Sequence, residues 1–408
     1  MGRSYNIFEF SSYDSKKFFA AFLILIIALI VDIGISNIAD IVSKQVANVI
    51  GVALFTTITA VYIFGQCFIL GMIRTKNRES NFRRGHILRL EKIVTIIQSI
   101  LIGIMIIVVL EIIFTSHYYI NLLTVATTIS YGLNATLASI LAFQLFSWFK
   151  LNKNLAVLLF GLASGAVAVN SADIIIFFDD VLLQKPAFVS PQSEVIFQVG
   201  FNPGTPMSEV SFVQSNSLIA YFILTWGGSI LLLRNYIKRI GKVKFWLLVP
   251  LPLVYFLSNY ITLYQTLNPN SPVTSAISSN LTLPILLGTY SIVVSGVLFG
   301  IGFRSITRTI KQGSHVRDYM IIAAYGFILF YTAAGATVLQ AGYPPFGLAN
   351  VSSVGLGTFM IMIGLYYSVF AAFFPFPYRL FFYLSEQSSL ADISSYQLLE
   401  MALLSRIL

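Results

Sequence analysis

The feature that most constrains this chain is a series of long apolar runs that charged residues hardly interrupt. Of its 408 residues, 57% are hydrophobic and only 10% are charged, whereas soluble domains carry about a quarter charged residues. A bilayer core of about 30 Å takes roughly 20 apolar residues of helix to cross. The composition therefore excludes a water-soluble enzyme and predicts a polytopic membrane protein.

Ten runs reach that length, so the sequence predicts an all-α bundle of about ten transmembrane helices. The predicted spans are 18–36, 46–73, 93–114, 121–148, 155–178, 217–233, 245–264, 282–303, 320–340 and 350–374. They form one predicted transmembrane domain, residues 1–374. The predicted juxtamembrane tail, residues 375–408, contains an amphipathic helix over 390–408 that lies on the membrane or docks to a protein partner.

The distribution of positive charge predicts the orientation of the spans. If the N-terminus is cytoplasmic, all but two of the 25 Lys and Arg residues fall in cytoplasmic segments, the exceptions being Lys44 and Lys185. Because cytoplasmic loops retain Lys and Arg, we expect a cell-membrane protein with both termini inside. The same segments should attract anionic headgroups. The net charge of +9 thus reflects topology, and no nucleic-acid partner is predicted.

The external segment 179–216 has a pattern of its own. Residues 193–200 and 208–215 alternate apolar and polar side chains, and the turn-rich stretch 201–207 separates them. Two such runs around a turn predict a small external β-hairpin, which would serve as a lid or a surface for a protein partner. A loop without regular structure is the alternative.

Three carboxylates lie within predicted spans, where a charge is costly. Asp32 lies about 21 Å from the inner end of its span, and Glu111 and Asp173 about 27 Å from the inner ends of theirs. Two interpretations stay open. The three form an acidic vestibule that binds a cation or carries a proton, with Asp32 and Asp173 facing one polar interior, or each reaches headgroup water separately.

Uncharged polar residues recur at helical spacing in the fourth and fifth spans. Together with the three acids they define a hypothetical substrate or ion path. Its residues are Asp32, Glu111, Asp173, Asn170, Asn134 and Tyr131, with Thr127, Ser130 and Ser171 beside them. Such stripes either line a path or join helices through hydrogen bonds, and the sequence does not choose between the two.

Further candidates are weaker. Asp179 and Asp180 form a diacidic pair that could hold a divalent metal, and Gly227-Gly228, Pro250, Pro252 and Pro284 mark spans where broken helices could expose backbone groups to a substrate. Kinks that only serve packing are the alternative. Gly296-x-x-x-Gly300 is typical of close helix packing.

Catalysis finds little support in the sequence. His86, His117 and His315 all lie outside the predicted spans, so an intramembrane Ser–His or His–metal pair is not expected. The sequence leaves the cofactor unknown. The two sequons at Asn280 and Asn350 permit external glycosylation.

Two functions remain: a secondary transporter of a small solute or cation, and a non-transporting sensor module or subunit of a membrane complex. A polar interior near mid-membrane would favour transport, whereas a solid core with an exposed apolar groove would favour a subunit.

Overall fold

The computed structural model describes residues 12–46, 49–79, 85–183, 188–190, 206–257, 282–308, 310, 315–334 and 343–373. The first helices are α1 (Ser12–Val46), α2 (Val49–Glu79), α3 (Gly85–Thr115), α4 (Ile120–Asn152), α5 (Leu155–Leu183) and α6 (Pro206–Asn235). They are followed by α7 (Ile237–Ile240), α8 (Lys242–Leu248), α9 (Thr282–Thr307), α10 (His315–Ala333) and α11 (Leu348–Phe373). Residues 250–257 are also helical. Two short strands, β1 (Tyr118–Tyr119) and β2 (Phe188–Val189), complete the described elements.

Eight of the described helices are long and apolar enough to cross a membrane, namely α1 to α6, α9 and α11. They coincide with eight of the ten predicted spans. The other two, 245–264 and 320–340, extend in part beyond the described residues. The predicted all-α membrane bundle is therefore confirmed, and the chain is a multi-pass membrane protein.

One end of the bundle carries exposed basic side chains. They stand near the helix termini at that end and include Arg74, Arg89, Lys150, Arg234 and Arg304. The start of α1 lies at this end too, since the ring of Phe18 lies 6.3 Å from that of Phe68 in α2. We call this the basic end of the bundle, and the opposite end the far end.

The far end holds a two-stranded antiparallel sheet, but its strands are not the predicted ones. Tyr118 pairs with Val189 and Tyr119 with Phe188. Residues 208–215, predicted as the second strand of the hairpin, belong to α6 instead. That helix begins at Pro206, and proline suits a first helical position because the missing N–H has no partner there. The rest of the predicted hairpin, 193–205, lies outside the described residues, as does the predicted tail helix.

Helix α11 lies at the centre of the bundle. Every residue from Leu348 to Leu365 is buried, and the helix packs most extensively on α10 and α4, with further contacts to α1, α2 and α3. A helix surrounded by protein has to satisfy all its polar groups from its neighbours. The polar chemistry of the interior is therefore concentrated around α11.

Small residues allow α10 and α11 to approach closely. A Cβ atom on Gly326 would lie 2.7 Å from the backbone nitrogen of Ile361, and one on Gly357 would lie 2.8 Å from the backbone of Phe330. Gly296 and Gly300 of α9 similarly face α10 side chains, which confirms the predicted packing role of that motif. Glycines here remove the side chains that would hold the helices apart.

Candidate functional site

Asp32 is fully buried and closes the N-terminus of α11. Its Oδ1 accepts a hydrogen bond from the Gly347 N–H at 2.9 Å, and its Oδ2 accepts from the Asn350 N–H at 3.4 Å and from Asn350 Nδ2 at 2.8 Å. Asn350 Nδ2 also donates to the Leu29 carbonyl at 3.0 Å. The first N–H groups of a helix lack partners within it and carry partial positive charge. The carboxylate therefore stabilises this buried helix end.

Helix α11 begins inside the bundle. Ser130 donates a hydrogen bond to the Val351 carbonyl, although Ser130 lies about 15 Å along α4 from its far end. Residues 344–347 reach down to this depth and are buried, as irregular backbone must be within a membrane. Gly347 has φ +93°, a conformation that glycine adopts without the steric strain of a Cβ.

The position of Asp32 corrects two expectations. It does not reach headgroup water, so the interpretation of three separate carboxylates at the surface is wrong for this residue. The sequon at Asn350 is also unusable in this fold, because the side chain is fully buried and hydrogen-bonded to Asp32. Asn280 lies outside the described residues.

The other two acids do not join Asp32. Glu111 lies near the far end, where its Oε2 accepts a hydrogen bond from the Tyr119 N–H at 3.2 Å. Asp173 is half-buried on α5, and its Oδ2 has no hydrogen-bond partner among the described residues. Within the described part of the chain no hydrogen bond connects the three carboxylates. The described hydrogen bonds therefore do not support a shared acidic vestibule.

Asn134 instead joins three helices through two hydrogen bonds. Its Nδ2 donates to Ser171 Oγ on α5 at 2.6 Å, and its Oδ1 accepts from the Thr358 hydroxyl on α11. All three residues are buried. We call Asn134, Ser171 and Thr358 the polar triad.

The two remaining residues of the predicted path are buried as well. Asn170 Nδ2 donates to Ser217 Oγ on α6 at 2.9 Å, so this side chain joins α5 to α6. Tyr131 lies on α4 one turn before Asn134 and is 8% exposed. In this structure the predicted stripes connect helices, as one of the two sequence interpretations proposed.

A larger set of polar side chains surrounds the first two turns of α11, and all of them are at most 2% exposed. This polar cluster consists of Thr59, Tyr62 and Gln66 on α2, Gln98 on α3, Thr127 and Ser130 on α4, and Asn350, Ser352 and Ser353 on α11.

Contacts connect α11 with α2 and α3 within the cluster. Gln66 Nε2 donates to Ser353 Oγ at 3.1 Å, and a Cβ on Gly355 would lie 3.6 Å from Gln98 Nε2. The cluster therefore surrounds the buried start of α11 on several sides.

Many atoms of the polar cluster have no hydrogen-bond partner among the described residues. They include Thr59 Oγ1, Gln66 Oε1, Gln98 Nε2 and Oε1, Thr127 Oγ1 and Asn350 Oδ1. An unpaired buried polar group costs about 1–3 kcal/mol, so proteins rarely collect several in one place. A concentration of unpaired donors and acceptors is typical of a site that takes water or a polar ligand.

The sequence could have indicated part of this cluster. Thr59, Tyr62 and Gln66 follow one another at spacings of three and four residues, as do Thr127, Ser130 and Asn134, and such spacing places residues on one face of a helix. The predicted path includes only the set on α4. The role of Gln98 requires knowledge of what packs against it, because its polar neighbours on α3, Thr95 and Ser99, donate hydrogen bonds within their own helix.

A small cavity lies toward the basic end from the triad, between α4, α5, α6, α10 and α11. This partly open cavity has a volume of about 40 Å³, and its lining is mostly apolar, with Leu141, Phe160, Ala163 and Phe327 among it. Hydroxyl groups of Ser164, Thr225, Tyr331 and Thr358 belong to the same lining. A single water needs about 10–15 Å³ on this measure. The cavity therefore has room for a few water molecules.

The far end above these features is closed by aromatic residues. Tyr118 stacks on Tyr343 with ring centroids 6.4 Å apart, and Tyr119 packs against Phe188 at 4.6 Å. Burial raises the pKa of the Tyr118 phenol well above its ordinary value, so this residue stays neutral at physiological pH. The closure is therefore mainly aromatic, and the Glu111 carboxylate accepts the Tyr119 N–H at its edge.

Two other candidates can be placed. Among the described residues no group of three His, Cys, Asp or Glu side chains is arranged to hold a metal ion, and the side chains of Asp179 and Asp180 lie outside that set.

Gly227 and Gly228 lie within the unbroken helix α6, where α5 side chains face them. They serve packing and do not interrupt the helix.

No protein-family model, no curated protein and no solved structure matches the chain.

Proposed function

We propose that the protein transports a small uncharged polar solute across the membrane and that the polar cluster is its binding site. The observation that carries this proposal is the collection of unpaired polar atoms around the buried start of α11. A solute with hydroxyl, amide or urea groups would pair donors such as Gln98 Nε2 and acceptors such as Gln66 Oε1. Those pairs would offset the cost of burying these polar atoms.

The chemistry of the cluster favours an uncharged solute over a cation. Its side chains are hydroxyls and amides, and the nearest described carboxylate, Asp32, already accepts hydrogen bonds on both oxygens. A cation would have to displace those donors from the carboxylate and unpair the end of α11. The predicted path residues Asn134 and Tyr131 adjoin the cluster, whereas Asp32 positions the helix that carries it.

We also propose that the basic end faces the cytoplasm of a cell membrane, because the positive-inside rule assigns Lys- and Arg-rich loops to that side. Anionic headgroups would then contact exposed residues such as Arg234 and Lys238. The polar cluster would lie in the outer half of the membrane and the cavity in the inner half.

A second candidate is a non-transporting sensor module or a subunit of a membrane complex. It is favoured by the closed interior, since each unpaired atom of the cluster is shielded from solvent. Under this alternative the hydroxyls and amides only hold helices together. Solute flux distinguishes the two candidates.

The test is uptake by proteoliposomes, with glycerol, urea and glucose as uncharged probes and Na⁺ as the cation. We expect at least one uncharged probe to enter faster than in protein-free liposomes. Gln98→Leu should lower that rate about tenfold, the factor that corresponds to about 1.4 kcal/mol of lost binding. Entry of Na⁺ alone, or of none of the probes, would reject the proposal.

The matched control is Gln144→Leu, the same substitution placed on α4. Gln144 also has an unpaired buried oxygen, but it lies more than three helical turns from Ser130, on the basic side of the triad. We expect this variant to retain the wild-type rate within a factor of about two. Equal losses in both variants would mean that the cluster has no special role.

A further inference from the structure

The polar triad separates the polar cluster from the cavity along the axis of α11. On α4, Asn134 lies one turn beyond Ser130 of the cluster and one turn before Ala138 of the cavity lining. On α11, Thr358 lies one turn beyond Gly355 and also lines the cavity. A single layer of hydrogen-bonded side chains therefore lies between the polar cluster and the cavity.

The third member of the triad, Ser171, also lies next to the cavity lining. Ser171 on α5 lies one turn from Val167, which lines the cavity, and its hydroxyl donates to the Val167 carbonyl at 2.8 Å. Below this layer the cavity lining includes the buried hydroxyl of Tyr331, with Thr225 beside it. Polar atoms thus continue beyond the triad toward the basic end.

Building on the proposed function, we propose that the triad is the gate of the solute path and that the cavity is its inner compartment. The compartment would take the same class of small uncharged solute, since its polar groups are hydroxyls. Breaking the bond between Thr358 and Asn134 opens the layer, because an unpaired amide oxygen draws water into it. No charge has to move for this step, which involves only exchange of hydrogen bonds.

The gate is tested by water access to the cavity. In a chain whose native cysteine is replaced by Cys67→Ser, Ala163→Cys places one thiol in the cavity lining. Its reaction rate with 2-aminoethyl methanethiosulfonate is measured in proteoliposomes, with Thr358 intact, with Thr358→Val and with Thr358→Ser. Valine keeps the shape of threonine and removes the hydroxyl, whereas serine keeps the hydroxyl.

We expect Thr358→Val to raise the modification rate of the cavity thiol about tenfold, as loss of about 1.4 kcal/mol of hydrogen bonding would give. Thr358→Ser should leave the rate within about twofold. An unchanged rate in the valine variant, or an equal rise in the serine variant, would overturn the gate.

A second thiol distinguishes gating from general loosening of the fold. Ala142→Cys is equally buried on α4 but does not line the cavity, so Thr358→Val should not change its reactivity. A similar rise at both positions would also overturn the gate. Because these rates do not depend on transport, a gate effect without flux of any probe would reject the proposed function alone, and flux without a gate effect would reject only this inference.

Discussion

The two halves of α11 are equally buried but are held in different ways. The half nearer the far end contacts α1, α2, α3 and α4 through hydroxyls and amides, several of which have no partner among the described residues. The other half lies against α10, where Gly326 and Gly357 bring the two backbones together. Burial alone therefore does not tell which part of a membrane helix serves packing and which part forms a site.

The physical difference lies in what each half would lose by moving. Close van der Waals contact at glycines is lost as soon as the helices separate. Polar groups of the other half that have no partner among the described residues can gain hydrogen bonds from a solute or from water. We infer that the contact of α11 with α10 is the fixed part of the bundle and that the side of α11 facing α2, α3 and α4 is the part that responds to a ligand.

The largest effect should come from a change in the fixed contact. Gly357→Leu would place a side chain where a Cβ already lies 2.8 Å from the Phe330 backbone, and we expect the free energy of unfolding in micelles to fall by about 3 kcal/mol. Gly103→Ala on α3 is the control, because a Cβ added there would meet nothing within 4 Å. A stable Gly357→Leu protein would contradict the fixed role of this contact.

A smaller loss of stability is expected from removing the Asp32 cap at the start of α11. Asp32→Ala would leave the Gly347 and Asn350 N–H groups buried and unpaired, which should lower the free energy of unfolding by about 2 kcal/mol. Glu111→Ala removes a comparable bond to Tyr119 at an exposed site and should cost about 0.5 kcal/mol. Equal costs would show that burial of the Asp32 cap is unimportant.

The smallest effect has the opposite sign. Both polar atoms of Gln98 lack partners among the described residues, so Gln98→Leu should raise the free energy of unfolding by about 1 kcal/mol, measured by thermal unfolding in detergent. The same variant should transport about tenfold more slowly, as expected above. A destabilised variant would indicate that Gln98 has a structural partner and does not face a ligand.

Hydropathy predicted the spans well because crossing a bilayer requires apolar length. It could not predict which span is central, since lipid is as apolar as a protein interior. In α3 only 33% of the apolar stretch is buried, compared with 94% in α11. The glycines and hydroxyls of α11 indicate burial better than its apolar residues do.

The candidate site was predictable only in part, for a related reason. Asp32 was recognised as a costly charge at depth, but its partners lie more than 300 residues away at the start of α11. The prediction of a strand over 208–215 is wrong because Pro206 starts a helix there, and an alternating pattern over eight residues does not exclude a helix. Patterns within one segment cannot show which distant helices meet.

The central claim, that the polar cluster opens to water while the contact between α10 and α11 stays closed, is tested most directly by thiol accessibility. In the Cys67→Ser chain, Ser352→Cys and Met360→Cys place single thiols on α11 at equally buried positions, the second against Gly326. Reaction with 2-aminoethyl methanethiosulfonate is followed in proteoliposomes. We predict that the thiol at position 352 reacts at least about tenfold faster than the thiol at 360, a difference of about 1.4 kcal/mol in opening. Equal and slow reaction at both positions would contradict the account.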